Sequence, residues 1–175
     1  MKKQKGFSLI ELLIVVAIIL IIAAIAIPNL LRSKIAANES SAVGSVRTIG
    51  TAEVTYSSSW GVGYSPDLAS LGGPSPCTTA TAGAACLIDP LLSQTPFTKS
   101  GYKFSAIGTL ASGGINNGFE VNAIPAQPQV TGVRSFCDDQ VGVVKFQMVA
   151  LAQPPTAGQC AGIGTTAGVS GPVGN

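Results

Sequence analysis

The residue with the most unusual surroundings is Glu11, a carboxylate inside the apolar run from Phe7 to Ile27. A charged side chain within a membrane costs about 2.5 kcal/mol or more, so Glu11 is expected to have a partner. The nearest cations lie N-terminal to Gly6, so we expect no local cation to pair with the carboxylate. Cleavage between Gly6 and Phe7 would create an α-amine, protonated at neutral pH, four residues before Glu11. We therefore predict that Glu11 pairs with this amine, within one chain or between neighbouring copies.

The cysteines form a second group with a definite chemistry. There are four of them, and none belongs to a C-x-x-C pair, which argues against zinc and for two disulfides formed in an oxidising compartment. Cys77 and Cys86 are close in sequence and are expected to bridge a loop, and Cys160 is expected to bridge to Cys137. Three connectivities are formally possible for four cysteines.

The remaining polar residues indicate no catalytic centre. The chain has no histidine, and it contains no nucleophile motif and no phosphate-binding loop. Asp138 and Asp139 resemble a fragment of a calcium loop, although a solvated β-turn is the stronger interpretation. Without the lysines at positions 2, 3 and 5, the net charge moves from +2 to −1. We therefore expect no enzyme activity, no cofactor and no nucleic-acid partner.

The apolar run is long enough to span a membrane. Its 21 residues would make a helix of about 31 Å, close to the roughly 30 Å of a bilayer's hydrocarbon core. The preceding lysines are expected to keep the N-terminus in the cytoplasm. A conventional signal peptide and an unprocessed single-pass anchor are the alternatives.

The string KGFSLIELLIVVAIILIIAAIAIP resembles the class III signal of type IV prepilins and type II secretion pseudopilins. Gly6, Phe7, Glu11 and Pro28 fall where that family's pattern places them. The resemblance covers about residues 1–35. It implies cleavage after Gly6 by a prepilin peptidase, N-methylation of Phe7 and a role for Glu11 in subunit docking.

Helical character continues beyond the apolar run. Pro28 should kink or loosen the helix, and a helix end at the membrane surface is the alternative. Ile35, Ala42, Val46 and Ile49 then recur at helical spacing, which extends the helix to about Tyr56. This gives a leader at 1–6, a membrane or filament-core helix at 7–28 and an amphipathic helix at 29–56.

The rest of the chain predicts an α+β fold. Residues 57–100 read as an irregular loop with helical turns near 66–71 and 89–92. Alternating runs at 102–107, 119–124, 130–136 and 143–149 predict an antiparallel sheet within 101–150, with a turn at 138–140. The long helix would back this sheet, as in pilins, and residues 151–175 would be a flexible tail tethered by its disulfide.

These features favour a structural subunit of a type IV pilus-like filament. The resemblance implies a homo-oligomeric helical filament, an assembly platform and an ATPase that extracts the precursor from the inner membrane. The finished filament would be extracellular and would carry adhesion or motility contacts. A type II secretion pseudopilin, or a minor pilin with a binding role, is the alternative.

Overall fold

The computed structural model describes residues 7–166 and 168–174. The chain divides into two compact units, Met1–Lys34 and Ile35–Asn175. We call the described residues 7–34 the N-terminal segment and the described residues from Ile35 onward the head. The expected leader, residues 1–6, lies outside the described residues.

One long helix and two short ones supply the helical part of the fold. Helix α1 covers Leu9–Trp60, α2 covers Leu68–Leu71 and α3 covers Pro90–Ser93. Helix α1 therefore ends four residues beyond the expected Tyr56. It ends there because Gly61 adopts a positive φ of 63° and its N–H bonds back to the Ser57 carbonyl, the usual left-handed helix end.

Six strands follow the helices in one antiparallel sheet, with strand order equal to chain order. Their bounds are β1 Thr98–Lys99, β2 Tyr102–Thr109, β3 Gly118–Pro125, β4 Ser135–Asp139, β5 Lys145–Gln147 and β6 Ser170–Pro172. Strands β2 and β3 pair along their whole lengths, from Tyr102 opposite Pro125 to Thr109 opposite Gly118. The long helix followed by this meander confirms the predicted α+β class.

The core of the head lies between one face of the sheet and the second half of α1. Helix α1 contributes Ala42, Val46 and Ile49, all fully buried at the spacing that the sequence predicted. The sheet contributes aromatic side chains, of which Tyr102, Phe119 and Phe136 are the largest fully buried ones. Burial of this apolar surface is the main stabilising contribution to the head.

The other face of the sheet is covered by the C-terminal segment. Leu151, Cys160 and Ile163 form a second buried cluster with Cys137 of β4, and β6 closes the sheet beside β5. This corrects the expectation of a flexible tail at 151–175. The low complexity of the segment concealed a few well-spaced apolar residues that the disulfide holds against the sheet.

The expected third strand at 130–136 is also wrong, because β4 begins only at Ser135. The backbone N–H groups of Val133 and Arg134 donate to the Glu39 carboxylate of α1, at 2.9 and 3.1 Å, and so are taken out of strand pairing. Strand pairing therefore starts later in the chain, so Asp138 and Asp139 lie in β4 and the turn expected at 138–140 begins at Asp139.

Replacement by alanine should have opposite effects on stability at two glycines of α1. A Cβ at Gly50 would lie 2.7 Å from Asp138 Oδ2, whereas one at Gly44 would have no atom within 4 Å. We expect Gly44→Ala to raise the free energy of unfolding by about 0.5–1 kcal/mol through helix propensity. Gly50→Ala should lower it by about 1–3 kcal/mol through overpacking. Denaturant titration of the full chain in detergent checks both, and equal effects would contradict this packing.

Candidate functional site

The described part of the N-terminal segment presents an exposed apolar surface. Every large hydrophobic side chain from Phe7 to Leu31 is exposed, with exposed fractions between 43% and 80%. By length and composition this part of α1 can cross a membrane, and none of its apolar window is buried. A contiguous apolar surface of this extent requires lipid or other helices around it.

Glu11 lies in the first turn of α1 and has a local hydrogen-bond partner. The backbone N–H of Ser8 donates to Glu11 Oε2 at 2.9 Å, and the Ser8 carbonyl accepts the first helical bond from Leu12. Ser8 and Glu11 thus stand in the S-x-x-E spacing of a capping box, half of which is formed. Glu11 therefore has a local partner in the Ser8 N–H, contrary to the expectation drawn from the absence of nearby cations.

Phe7 precedes this cap and is 80% exposed. Phe7 directly precedes Ser8 in the chain, and the Ser8 N–H donates to the Glu11 carboxylate. The expected cleavage partner, Gly6, lies outside the described residues. Cleavage and methylation at this position stay predictions.

Pro28 lies inside α1, which continues without an end to Trp60. The alternative of a helix end at this position is therefore wrong. Because proline has no N–H, the carbonyl of Ala24 loses its usual helical donor there. A kink at Pro28 stays a prediction.

The four cysteines form two disulfides, Cys77–Cys86 and Cys137–Cys160. The first closes a short segment of the loop between α2 and α3. The second joins β4 to the C-terminal segment that covers the outer face of the sheet. Among the described residues there is no free cysteine.

Asp138 and Asp139 are not solvated as expected, although Asp139 is the first residue of a turn in which the Gly142 N–H donates to the Asp139 carbonyl at 2.9 Å. Both are 3% exposed, and each accepts a backbone hydrogen bond: Asp138 from the N–H of Asp139, and Asp139 from the N–H of Val141. As consecutive strand residues they project to opposite faces of the sheet. In the part of the chain that the structure describes, no three potential metal ligands are grouped together.

Helix α1 is tied to the β3–β4 connection by an ion pair between the buried Glu39 and the partly exposed Arg134. The Glu39 carboxylate accepts hydrogen bonds from both backbone N–H groups named above and from Arg134 Nε, and Arg134 Nη2 lies 2.7 Å from Glu39 Oε2. The Arg134 guanidinium also lies over the rings of Phe136 and Phe146. Burial opposes ionisation, but these hydrogen bonds hold the pKa of Glu39 below its ordinary value.

A second buried carboxylate of α1 has no cation beside it. Glu53 is fully buried and accepts hydrogen bonds from the N–H and the hydroxyl of Ser65, at 2.8 and 2.7 Å. Burial raises the pKa of Glu53 to about 7, although the bonds from Ser65 act against this shift. Burial likewise raises the pKa of Asp138 to about 6. The folded head therefore binds protons more tightly than the unfolded chain at these sites.

This protonation predicts a pH-dependent stability. Because the folded pKa of Glu53 is raised from 4.5 to about 7, the free energy of unfolding should fall as the pH rises through this window. Because the pKa of Glu39 is lowered, its protonation decreases the free energy of unfolding only at more acidic pH. We expect the full chain in detergent to be more stable at pH 5 than at pH 8.

Glu53→Gln is the matched control for this effect. A glutamine at position 53 can accept from the Ser65 N–H and donate to the Ser65 hydroxyl, which has a second acceptor in the Asp67 carbonyl at 3.1 Å. The variant should keep the fold and lose much of the pH slope. A slope equal to that of the unchanged chain, measured by denaturant titration at several pH values, would contradict the assignment.

Comparison with known proteins bears on the N-terminal part of the chain. Residues 1–27 match the prokaryotic N-terminal methylation motif. The chain is 62% identical over 39 residues to the type IV wide pilus major component PilA4 of Thermus thermophilus. It is 45% identical over 54 residues to the type IV major pilin protein PilA of Myxococcus xanthus.

The matches cover limited parts of both chains. They include 22% and 31% of this chain, and they span 30% of PilA4 and 24% of PilA. No solved structure matches the chain significantly. The N-terminal methylation motif and the homology to type IV pilins are thus established for the start of the chain, and the head is described by its own structure.

Proposed function

We propose that this chain is the precursor of a structural subunit of a type IV pilus-like filament. The observation that carries the proposal is the exposed apolar half of α1, in a chain whose residues 1–27 match a methylation motif and which is homologous over limited stretches to two major pilins. Such a helix is stable in a bilayer before assembly and in a bundle of identical helices afterwards.

Processing at Gly6–Phe7 provides the switch between these two states. A prepilin peptidase cuts the leader and leaves an α-amine on Phe7, which is then methylated. The Ser8 nitrogen already lies 2.9 Å from Glu11 Oε2, so the new amine arises next to the carboxylate. In the precursor Glu11 caps the helix, and in the mature subunit its charge is available to an amine of the same chain or of a neighbour.

The lipid bilayer and the helix bundle of a filament are similarly apolar surroundings for this helix. Moving an apolar helix from one to the other has little intrinsic driving force, so close packing and the Glu11–amine pair supply the specificity. An assembly platform with an ATPase performs the extraction from the inner membrane. Pro28 gives the helix a point where it can adapt to its neighbours in the bundle.

The head forms the outer part of the filament and has no catalytic role. Its buried carboxylates are engaged in hydrogen bonds that tie α1 to the sheet and its loops. Its disulfides suit an extracellular location. The relatives that match over 39 and 54 residues are named as pilus components, which favours a bulk structural role.

Mass spectrometry of fibres sheared from the cells tests the proposal. The expected result is this chain as an abundant component beginning with N-methylated Phe7, and loss of those fibres when the gene is deleted. A mature chain that begins elsewhere would overturn the proposed processing. Normal fibres without this chain would overturn the structural role.

A further inference from the structure

A cleft with a volume of about 310 Å³ opens in the head between helix α1 and the end of strand β4. Helix α1 lines it with Arg47, Gly50 and Val54, and the sheet lines it with Phe119 and Asp138. All of these residues belong to one compact unit. Sites for small molecules have volumes from about 300 Å³ upward, so this cleft suits a ligand at the small end of that range.

Gly50 makes room for the groups at the floor of the cleft. A Cβ at this position would lie 2.7 Å from Asp138 Oδ2 and 3.9 Å from Phe119 Cζ, so the carboxylate and the ring both lie against the helix backbone. Residues three and four apart share one face of a helix, which explains why Arg47 and Val54 border the same space. The cleft therefore combines two opposite charges with apolar walls.

The carboxylate of Asp138 has one oxygen without a partner among the described residues. Asp138 Oδ1 accepts the N–H of Asp139, whereas no described group donates to Oδ2. Only 3% of Asp138 is exposed, and burial raises its pKa to about 6. Removing a carboxylate from water is costly unless a cation or hydrogen-bond donors replace the water. An unpartnered oxygen that borders a cleft therefore marks a place for a donor from outside the head.

Arg47 lines the cleft but does not supply this missing partner. Its side chain is exposed, and it belongs to neither of the ion pairs found among the described residues. The charge of Arg47 nevertheless acts to lower the pKa of Asp138, against the larger effect of burial. The cleft thus presents a negative and a positive group that interact across it without touching.

These two charges select the class of ligand. A metal ion would be repelled by the guanidinium, and no three potential metal ligands are grouped in the described part of the chain. A simple anion would meet the carboxylate of Asp138, and a simple amine would meet the guanidinium of Arg47. A zwitterion satisfies both groups, because its ammonium donates to the carboxylate while its own carboxylate accepts from the guanidinium.

We propose that this cleft binds a free α-amino acid with an aliphatic side chain. The ammonium donates to Asp138 Oδ2 at the floor, and the carboxylate accepts hydrogen bonds from the Arg47 guanidinium. Val54 and Phe119 contact the aliphatic side chain, and binding is reversible without a covalent step. The inference concerns the head alone, and it adds a binding role to the proposed structural role.

Titration of the full chain in detergent tests this site. In isothermal titration calorimetry L-leucine, L-isoleucine or L-valine should saturate one site per chain. Two analogues of L-leucine each lack one charge, since isoamylamine has no carboxylate and isocaproate has no ammonium. Both should bind at least about tenfold more weakly than L-leucine, because each loses one of the two hydrogen-bonded charge contacts.

Single variants assign the binding to this cleft. Asp138→Asn removes the negative charge but keeps an oxygen for the Asp139 N–H, and Arg47→Gln removes the positive charge at an exposed position. Each should weaken the binding of the amino acid at least about tenfold. Lys103→Gln removes a positive charge from a residue that does not line the cleft, so the affinity should stay unchanged. If Asp138→Asn fails to fold, Arg47→Gln decides the test.

The remaining outcomes count against the proposal. Absence of saturable binding by all three amino acids would overturn it. Isoamylamine binding as tightly as L-leucine would show that the cleft accepts a cation instead of a zwitterion. Unchanged affinity in Arg47→Gln would place the bound amino acid elsewhere on the chain, and would overturn the assignment of the site. The titrations involve no fibres, so none of these results bears on the proposed function.

Discussion

Replacing Glu11 by alanine is expected to abolish fibre assembly while leaving the precursor inserted and processed. In the mature subunit the Phe7 amine would enter an apolar bundle without its carboxylate. A lone charge in such surroundings costs about 2.5 kcal/mol or more, so the fibre yield should fall on the order of a hundredfold. Immunoblots of sheared fibres and of membranes measure the two populations separately.

Glu11→Gln separates the charge of this residue from its capping role. Glutamine at the third helical position still accepts the Ser8 N–H, as the capping box allows. If the charge is what assembly needs, both variants should fail to form fibres. Normal fibres from Glu11→Gln, with none from Glu11→Ala, would instead assign the requirement to the helix cap. Normal fibres from both would contradict the proposed pairing.

Glu39→Ala should cause a large loss of stability in the head. It leaves two backbone N–H groups and the Arg134 guanidinium without the acceptor that now binds them. A buried N–H group left without an acceptor costs about 1–3 kcal/mol, whereas the Arg134 side chain is 39% exposed and can bind water instead. Denaturant titration of the full chain in detergent should show this decrease in the free energy of unfolding.

Lys99→Ala is the matched control, because it removes the other ion pair of the described head. The Lys99–Asp89 pair has a distance of 3.4 Å, and its side chains are 32% and 42% exposed. Exposed pairs of this kind contribute about 0–1 kcal/mol. A Glu39→Ala effect as small as that of Lys99→Ala would show that the β3–β4 connection holds its position without the carboxylate.

The C-terminal segment buries a face of strand β3 that the sequence pattern predicted to be exposed to solvent. Strand β3 alternates Phe119, Val121 and Ala123 with Glu120 and Asn122, which is typical of a strand with one face in water. In the structure Glu120 and Asn122 are buried as well. Glu120 accepts hydrogen bonds from the N–H groups of Gly158 and Cys160, so polar residues face a second layer of the chain instead of solvent.

The sequence did contain one weak indication that the C-terminal segment covers this face of β3. A disulfide from β4 to Cys160 had been expected, and Cys137 lies directly opposite Asn122 in the sheet. Since directly opposed residues point to the same face, that disulfide must draw the C-terminal segment over Glu120 and Asn122. The sequence gives no indication of the strand β6 that follows, because its three residues have no periodic pattern.

Local composition was enough to predict several features of this protein. The apolar run and its acid, the helical spacing of Ala42, Val46 and Ile49, and the strands β2 and β3 all follow from patterns within a few residues. Tertiary structure alone decided where distant backbone groups find partners. Glu39 removes residues 133 and 134 from strand pairing, and the start of β4 moves to Ser135 as a result. Such competition between a side chain and a ladder for the same N–H groups depends on contacts almost a hundred residues apart in the chain, about which a local pattern carries no information.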